Sequence, residues 1–200
     1  IPMVKKAILK KMMQGIHDFE PELNKRFNDL FKDLVCEQMD ESFLIVVFTL
    51  DEYHKLQDSS DLDNEDIVIS SIEILINQLI SEHFHCEPID YESNYIYFLI
   101  KTKNEKLSSV ETILNRIRKD LQLSLKRQIS CAVGIPVKNI GDIHLSYSNA
   151  LDMIKYRLVY GYGSFFTYNM EEFESKDSIV LIDKEKDKLI QAIKLCDMDG

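Results

Sequence analysis

Residues 146–161 read S-Y-S-N-A-L-D-M-I-K-Y-R-L-V-Y-G, between a strand-like S-C-A-V-G-I at 130–135 and an aromatic S-F-F-T-Y at 164–168. That order predicts a buried strand, a loop over 136–141, a helix and a final edge strand. Asp142 is placed to cap the helix, Ala150 and Ile154 mark its apolar side, and Gly161 stops it just after Tyr160.

Working back toward the N-terminus, Val110, Ile113, Leu114, Ile117, Leu121 and Leu125 recur at helical spacing. Ser108 and Glu111 form a capping box before them, and Lys126 and Arg127 follow at the negative end. Residues 83–89 and 95–101 read as two strands joined by a polar tip over 90–94, a hairpin. Tyr95, Tyr97 and Leu99 alternate with Ile96, Phe98 and Ile100, so both faces of the second strand are covered. Residues 43–50 are apolar and β-branched, a buried strand ending at Asp51. Beyond a polar loop, Ile67, Val68, Ile72, Leu75, Leu79 and Ile80 keep helical spacing behind an acidic first turn of Asn64, Glu65 and Asp66.

The resulting order is strand, helix, strand, strand, helix, strand. It predicts an α+β fold of split βαβ (ferredoxin-like, palm-type) topology: an antiparallel sheet of about five strands with helices on one face and connecting helices at both ends. The third strand should insert between the first and second. At the N-terminus Val4, Ala7, Ile8 and Met12 outline a first helix, with lysines elsewhere on its cylinder. After Gly15, Asp18 and Pro21 open a second helix in which Leu23, Phe27, Leu30 and Leu34 recur at coiled-coil-like intervals. This candidate interface helix either packs on its own domain or also relays a signal or pairs with a second subunit. Leu189, Ile190, Ile193 and Cys196 stripe a last amphipathic helix. The expected organisation is 1–39 as N-terminal linker helices, 40–170 as the domain and 171–200 as a C-terminal connector, the whole a module of a longer protein.

Composition narrows the function classes. Two hundred residues, 45% hydrophobic with 6 Gly and 4 Pro, suffice for one sizeable core. A formal charge of -10 argues against this chain gripping a nucleic-acid backbone, since that affinity comes mainly from Lys and Arg displacing counterions. Cys36, Cys86, Cys131 and Cys196 lack close C-x-x-C spacing, which argues against a zinc ribbon and fits a reducing cytoplasm. The longest apolar run, F-L-I-V-V-F at 43–48, falls far short of the roughly 18 residues of a membrane helix.

The stretch 130–168, with its helix opening on Ser-Tyr and closing on Gly, resembles the last third of the GGDEF-like domain found in the middle of bacterial AraC-type transcription regulators. The parent fold is that of diguanylate cyclases. The resemblance implies two metal-holding aspartates in a D-x-D-x-F element at the end of the first strand and a G-G-[D/E]-E-F turn at the hairpin. Here those positions read Thr49, Leu50, Asp51, Glu52, Tyr53 and Tyr91, Glu92, Ser93, Asn94, Tyr95. One carboxylate is a hydroxyl, both glycines are bulky, and the acidic pair is Ser and Asn. Mg²⁺ needs hard oxygen ligands and the nucleotide needs close backbone approach, so no catalytic residue, metal or cofactor is expected. No arginine lies between Arg26 and Arg116 for the R-x-x-D inhibitory element.

The resemblance therefore implies a non-catalytic signalling and interaction domain that relays an upstream input to a downstream helix-turn-helix module. Its partners would be a receiver or sensor before it, that module after it, and a second copy where the interface helix pairs, without direct nucleic-acid or membrane contact. The alternative is a small-molecule or nucleotide sensor using the vestigial cleft formed by Thr49, Asp51 and residues 91–95.

Other groupings read as structure. His83, His85 and Cys86 suggest zinc, but on a strand the cysteine faces away from the histidines and a fourth ligand is missing. Ser146 and Tyr147 read as a helix start rather than a nucleophile. Tyr156, Tyr160, Tyr162, Phe165, Phe166 and Tyr168 suit packing better than base stacking in so acidic a chain.

Overall fold

The strand β1, Glu41–Leu50, is buried along nearly its whole length, from Ser42 onward. A strand half exposed to water would alternate; one covered on both faces is apolar throughout. The computed structural model describes residues 2–16, 40–51, 65–92 and 94–168, and the elements of that region are arranged around this strand. They are α1 (Pro2–Met13), β1, α2 (Glu65–Ser81), β2 (His85–Glu92), β3 (Tyr95–Lys103), α3 (Leu107–Leu125), β4 (Ile129–Val133), α4 (Ile143–Lys155), the short α5 (Arg157–Tyr160) and β5 (Phe165–Thr167). Single 3₁₀ turns, Asn104–Lys106 and Ile140–Asp142, precede α3 and α4.

The sheet order is β2-β3-β1-β4-β5. The third strand does insert between the first and second: β1 pairs antiparallel with β3, Glu41 opposite Lys103 and Thr49 opposite Tyr95, and β2 pairs antiparallel with β3. The α+β class and the split βαβ core thus stand. Two features of the expected architecture need correction. The edge strand β5 runs parallel to β4, Cys131 opposite Phe165, so the sheet is mixed rather than antiparallel; the intervening α4 and α5 form the crossover that parallel neighbours require. Helices also cover both faces. Leu44, Val46, Phe48 and Leu50 share one core with Ile69, Ile72, Ile76 and Ile80 of α2 and Val110, Leu114, Ile117 and Leu121 of α3. On the other face α4 packs on β1 and β4, and α1 packs on β2 and α4.

Local boundaries differ for physical reasons. The face of α1 that packs is Ile8, Leu9, Met12 and Met13, whereas Val4 and Ala7 are exposed. Lys5 and Lys6 lie on the docking side and reach Glu87 of β2 and Glu73 of α2, the latter at 2.8 Å. Helix α3 starts at Leu107 without a side-chain cap, so Ser108 and Glu111 form no capping box. Its end is as expected, with Lys126 in the left-handed region at φ 51°. The β2 strand starts at His85 and extends to Glu92, leaving His83 in a turn. Asp142 makes no side-chain cap. The predicted helix through Tyr160 breaks at Tyr156 into α4 and α5, with Gly161 ending the second at φ 98°. Leu23, Phe27, Leu30, Leu34 and the stripe Leu189, Ile190, Ile193, Cys196 lie outside the described residues.

The contact between α4 and β1 explains the motif that opened the sequence. Beyond the end of β4, the edge of β1 continues to be satisfied by the chain that follows: Phe43 and Val137 exchange backbone hydrogen bonds of 2.7 and 2.9 Å, and Gly134 N–H donates to the Ile45 carbonyl at 2.9 Å. The Ile45 N–H donates to the Ser146 hydroxyl at 2.8 Å, and the Ile135 N–H to the Asn149 side-chain oxygen at 3.1 Å. Ser146 is therefore a buried fastener inside the helix rather than a helix start. A Cβ on Gly134 would collide with the carbonyl oxygen of Ser146, so glycine lets α4 lie this close. Two substitutions test this joint by urea denaturation. Ser146→Ala leaves the buried Ile45 N–H unpaired and should cost about 1–3 kcal/mol; Gly134→Ala should cost about as much through overpacking against backbone.

Candidate functional site

The end of β1 and the β2–β3 hairpin meet, as the topology requires. Asn94 donates from Nδ2 to the Thr49 hydroxyl and to the Leu50 carbonyl, both at 2.9 Å, and its own carbonyl accepts from Leu50 N–H at 3.3 Å. Thr49 is buried and opposite both Tyr95 on β3 and Ser130 on β4. Of the residues singled out in sequence, Thr49, Asp51, Asn94 and Tyr95 are thus brought together. The backbone of Tyr91 and Glu92 belongs to β2, pairing with Ile96 and Tyr95, and Ser93 lies outside the described residues.

Asp51 sits just past β1 with its side chain fully enclosed. Its Oδ2 accepts from the Ser130 hydroxyl at 2.6 Å and from Gly163 N–H at 2.8 Å. The Ser130 oxygen in turn accepts from Gly163 N–H and Ser164 N–H at 3.1 and 3.2 Å. The turn after α5 is thereby tied to the end of β1, with Gly163 in the left-handed region at φ 74°. Arg118, buried on α3, donates to the Gly163 carbonyl and also holds Asn115 and Gln122.

On the other side of the carboxylate stands Arg157, the first residue of α5. Its Nε is 3.5 Å from Asp51 Oδ1, its Nη2 donates to the Tyr95 hydroxyl at 3.0 Å, and its guanidinium lies 5.1 Å from the Tyr95 ring centre. Tyr95 stacks on Tyr97, which meets Tyr147 of α4 edge-on at 5.6 Å. The pair is close but not hydrogen-bonded: Asp51 Oδ1 and Arg157 Nε and Nη1 have no hydrogen-bond partner among the described residues.

Sequence reasoning selected Asp51 but missed Ser130, Arg157 and Gly163. Ser130 was within reach, because a strand pairing with β1 must put some residue opposite Thr49. Arg157 carried no local signal, since its role depends on the helix break at Tyr156.

Magnesium seeks about six oxygens in octahedral array. The described side chains offer one carboxylate, enclosed and faced by a guanidinium, and two hydroxyls already engaged, Thr49 accepting from Asn94 and Ser130 donating to Asp51. This set does not fit the ion. Among the described residues no group of three or more His, Cys, Asp and Glu side chains is placed to hold a metal. Near His85 and Cys86, burial pushes the Cys86 thiol far above its ordinary range, so it stays protonated. The aromatic group splits between packing and exposure: Tyr156, Tyr160 and Phe166 contact one another, while Tyr162 and much of Tyr160 are exposed.

Residues 38–156 match the family model described as the GGDEF-like domain. No curated protein matches the chain. Among solved structures the chain is similar to the active GGEEF domain of a diguanylate cyclase from Vibrio cholerae, at 17% identity and a TM-score of 0.48, over 72% of this chain and 90% of that one. It is similar to a microbial GGDEF domain described with bis-(3′,5′)-cyclic di-GMP at 13% identity and a TM-score of 0.49, over 73% and 90%. The GGDEF domain of DgcB from Caulobacter crescentus, in complex with c-di-GMP, gives 15% and 0.48, over 73% and 85%.

Burial pushes the Asp51 carboxyl above its ordinary value of 3.8, and the Ser130 and Gly163 hydrogen bonds, with Arg157 and Arg118, offset this only in part. The folded state therefore favours the neutral acid. Its contribution to stability is full below 3.8 and is lost as pH rises through the higher folded value. Urea denaturation across pH should show the stability of the wild type minus that of Asp51→Asn falling over this window and then levelling. A pH-independent difference would contradict the assignment.

Proposed function

This chain belongs to the GGDEF-like domain family, and we propose that within it the chain is a non-catalytic signalling and interaction domain. In the parent protein it relays an upstream input to a DNA-binding helix-turn-helix module, as the resemblance of residues 130–168 to the middle domain of AraC-type regulators suggests. The observation that carries the non-catalytic reading is the engagement of Asp51. Its Oδ2 is committed to Ser130 and Gly163, and the Arg157 guanidinium stands 3.5 Å from Oδ1. An intramolecular cation stands beside the single retained carboxylate, where a metal would need open coordination positions and more anionic oxygen.

The relay reading draws support from the way the termini of the domain converge on the sheet. Helix α1 packs on β2 and α4, and α4 leads through α5 into the turn that holds Asp51. A displacement of α1 therefore acts on an element fastened to the centre of the sheet. The charge of -10 leaves DNA binding to another segment of the parent.

A second reading, a ligand-sensing cleft, is favoured by one specific observation: the unpartnered Asp51 Oδ1 and Arg157 Nε and Nη1. Unpaired buried polar groups are costly, and a ligand that satisfied them would stabilise the folded state.

Incubation of the protein with Mg²⁺ and GTP should release no pyrophosphate and yield no cyclic dinucleotide. Turnover that disappears in Asp51→Ala would overturn the non-catalytic reading. A rise in melting temperature with GTP or cyclic di-GMP, absent in Arg157→Gln, would instead favour the sensing cleft.

A further inference from the structure

The end of the sheet remote from Asp51 carries a second polar concavity. There β1 begins at Glu41 opposite Lys103, and β2 begins at His85 opposite Lys101. Ten residues of extended strand put this pole about 30 Å from Asp51. The cleft has a volume of about 330 Å³, within the ~300–1,000 Å³ range of small-molecule sites.

Its charge is opposite to that of the chain. Acidic residues outnumber basic ones 34 to 24 overall, yet Lys101, Lys103 and Lys106 line this cleft with Glu41 as its one carboxylate. Glu41 is taken by Lys101 at 3.0 Å. Lys103 and Lys106 form no ion pair among the described residues. His83 and His85 also line it, the latter with Nε2 3.4 Å from Glu87.

One further observation points inward. Thr102 lines the cleft and is 6% exposed, and among the described residues its hydroxyl reaches the Lys103 carbonyl alone, at 3.5 Å, the outer limit of a hydrogen bond. The single proton of this buried hydroxyl is thus weakly held, and a phosphate oxygen is the stronger acceptor for it. Helix α3 starts beside Lys106 without a side-chain cap; the 3₁₀ turn before it carries Glu105, and its Asn104 carbonyl holds the Leu107 N–H. Phe84 supplies the apolar lining, its ring 6.3 Å from that of His83.

We propose that this cleft binds a small phosphate-bearing molecule. Lys103 and Lys106 neutralise the phosphate, the Thr102 hydroxyl donates to it, and Phe84 contacts whatever apolar part it carries. Lysines on flexible stems suit a tetrahedral anion approached from several sides, and they disfavour a metal. The inference goes beyond the functional reading above and stands whether or not the Asp51 end is catalytic.

Isothermal titration of the whole chain with sodium pyrophosphate at constant ionic strength tests it. Saturable binding is expected, weakened roughly tenfold or more in the double variant Lys103→Gln/Lys106→Gln. Both side chains are exposed, so that variant should fold. Lys11→Gln/Lys119→Gln removes the same charge from exposed sites elsewhere and should leave the affinity unchanged. Absence of saturable binding at millimolar pyrophosphate, or equal weakening in both double variants, overturns the proposal.

Discussion

The structure depends on satisfying the backbone of a strand that water cannot reach. With helices on both faces, the polar groups of β1 must find protein partners or incur a desolvation cost of about 1–3 kcal/mol each. β3 serves one edge along almost the full length, from Glu41 to Thr49. β4 serves the other edge only from Val46 to Leu50. The gap is closed by Gly134, Val137 and the hydroxyl of Ser146. The spacing between a short strand and the helix that follows is therefore set by hydrogen bonding, and the helix is locked onto the sheet as a consequence.

This constraint shows why some of the fold was legible and some was not. The continuous apolar run at 43–50 and the two-faced run at 95–100 identified buried central strands, and hairpin and helical periodicity placed their neighbours. The same runs already implied cover on both faces, since an apolar strand with one face in water would have been wasteful of surface. The expectation of one helical layer conflicted with that signal, and burial won. The direction of β5 was not legible, because three residues of edge strand carry no periodicity and their pairing follows from the length of the crossover. The capping expectations at Ser108 and Asp142 failed for a common reason: each helix is entered through a 3₁₀ turn, whose backbone hydrogen bonds replace the side-chain cap.

Of the candidate site, the meeting of Thr49, Asp51, Asn94 and Tyr95 followed from topology alone, while the partners of Asp51 did not. Ser130 comes from β4, Gly163 from the turn after α5, and Arg157 from a helix created by the break at Tyr156. These contacts span 79, 112 and 106 positions in sequence. Local patterns constrain residues near one another, so a carboxylate whose environment is assembled from three distant elements is the kind of feature that only the folded chain displays.

The Asp51–Arg157 pair also illustrates how a buried carboxylate can serve the fold. A buried carboxylate without a partner would be strongly destabilising, and removing the residue would leave the Ser130 hydroxyl without its acceptor. Retention of Asp51 therefore needs no chemistry to explain it: two donors and a nearby guanidinium suffice. The pair is nevertheless imperfect, with 3.5 Å between Nε and Oδ1 and no hydrogen bond across it. Its main effect is on geometry. Two hydrogen bonds at Oδ2 fix the turn that carries β5 into the sheet, and the guanidinium over Tyr95 fixes the hairpin. On the proposed reading, the carboxylate that served an ion in the parent fold here joins the last strand to the first.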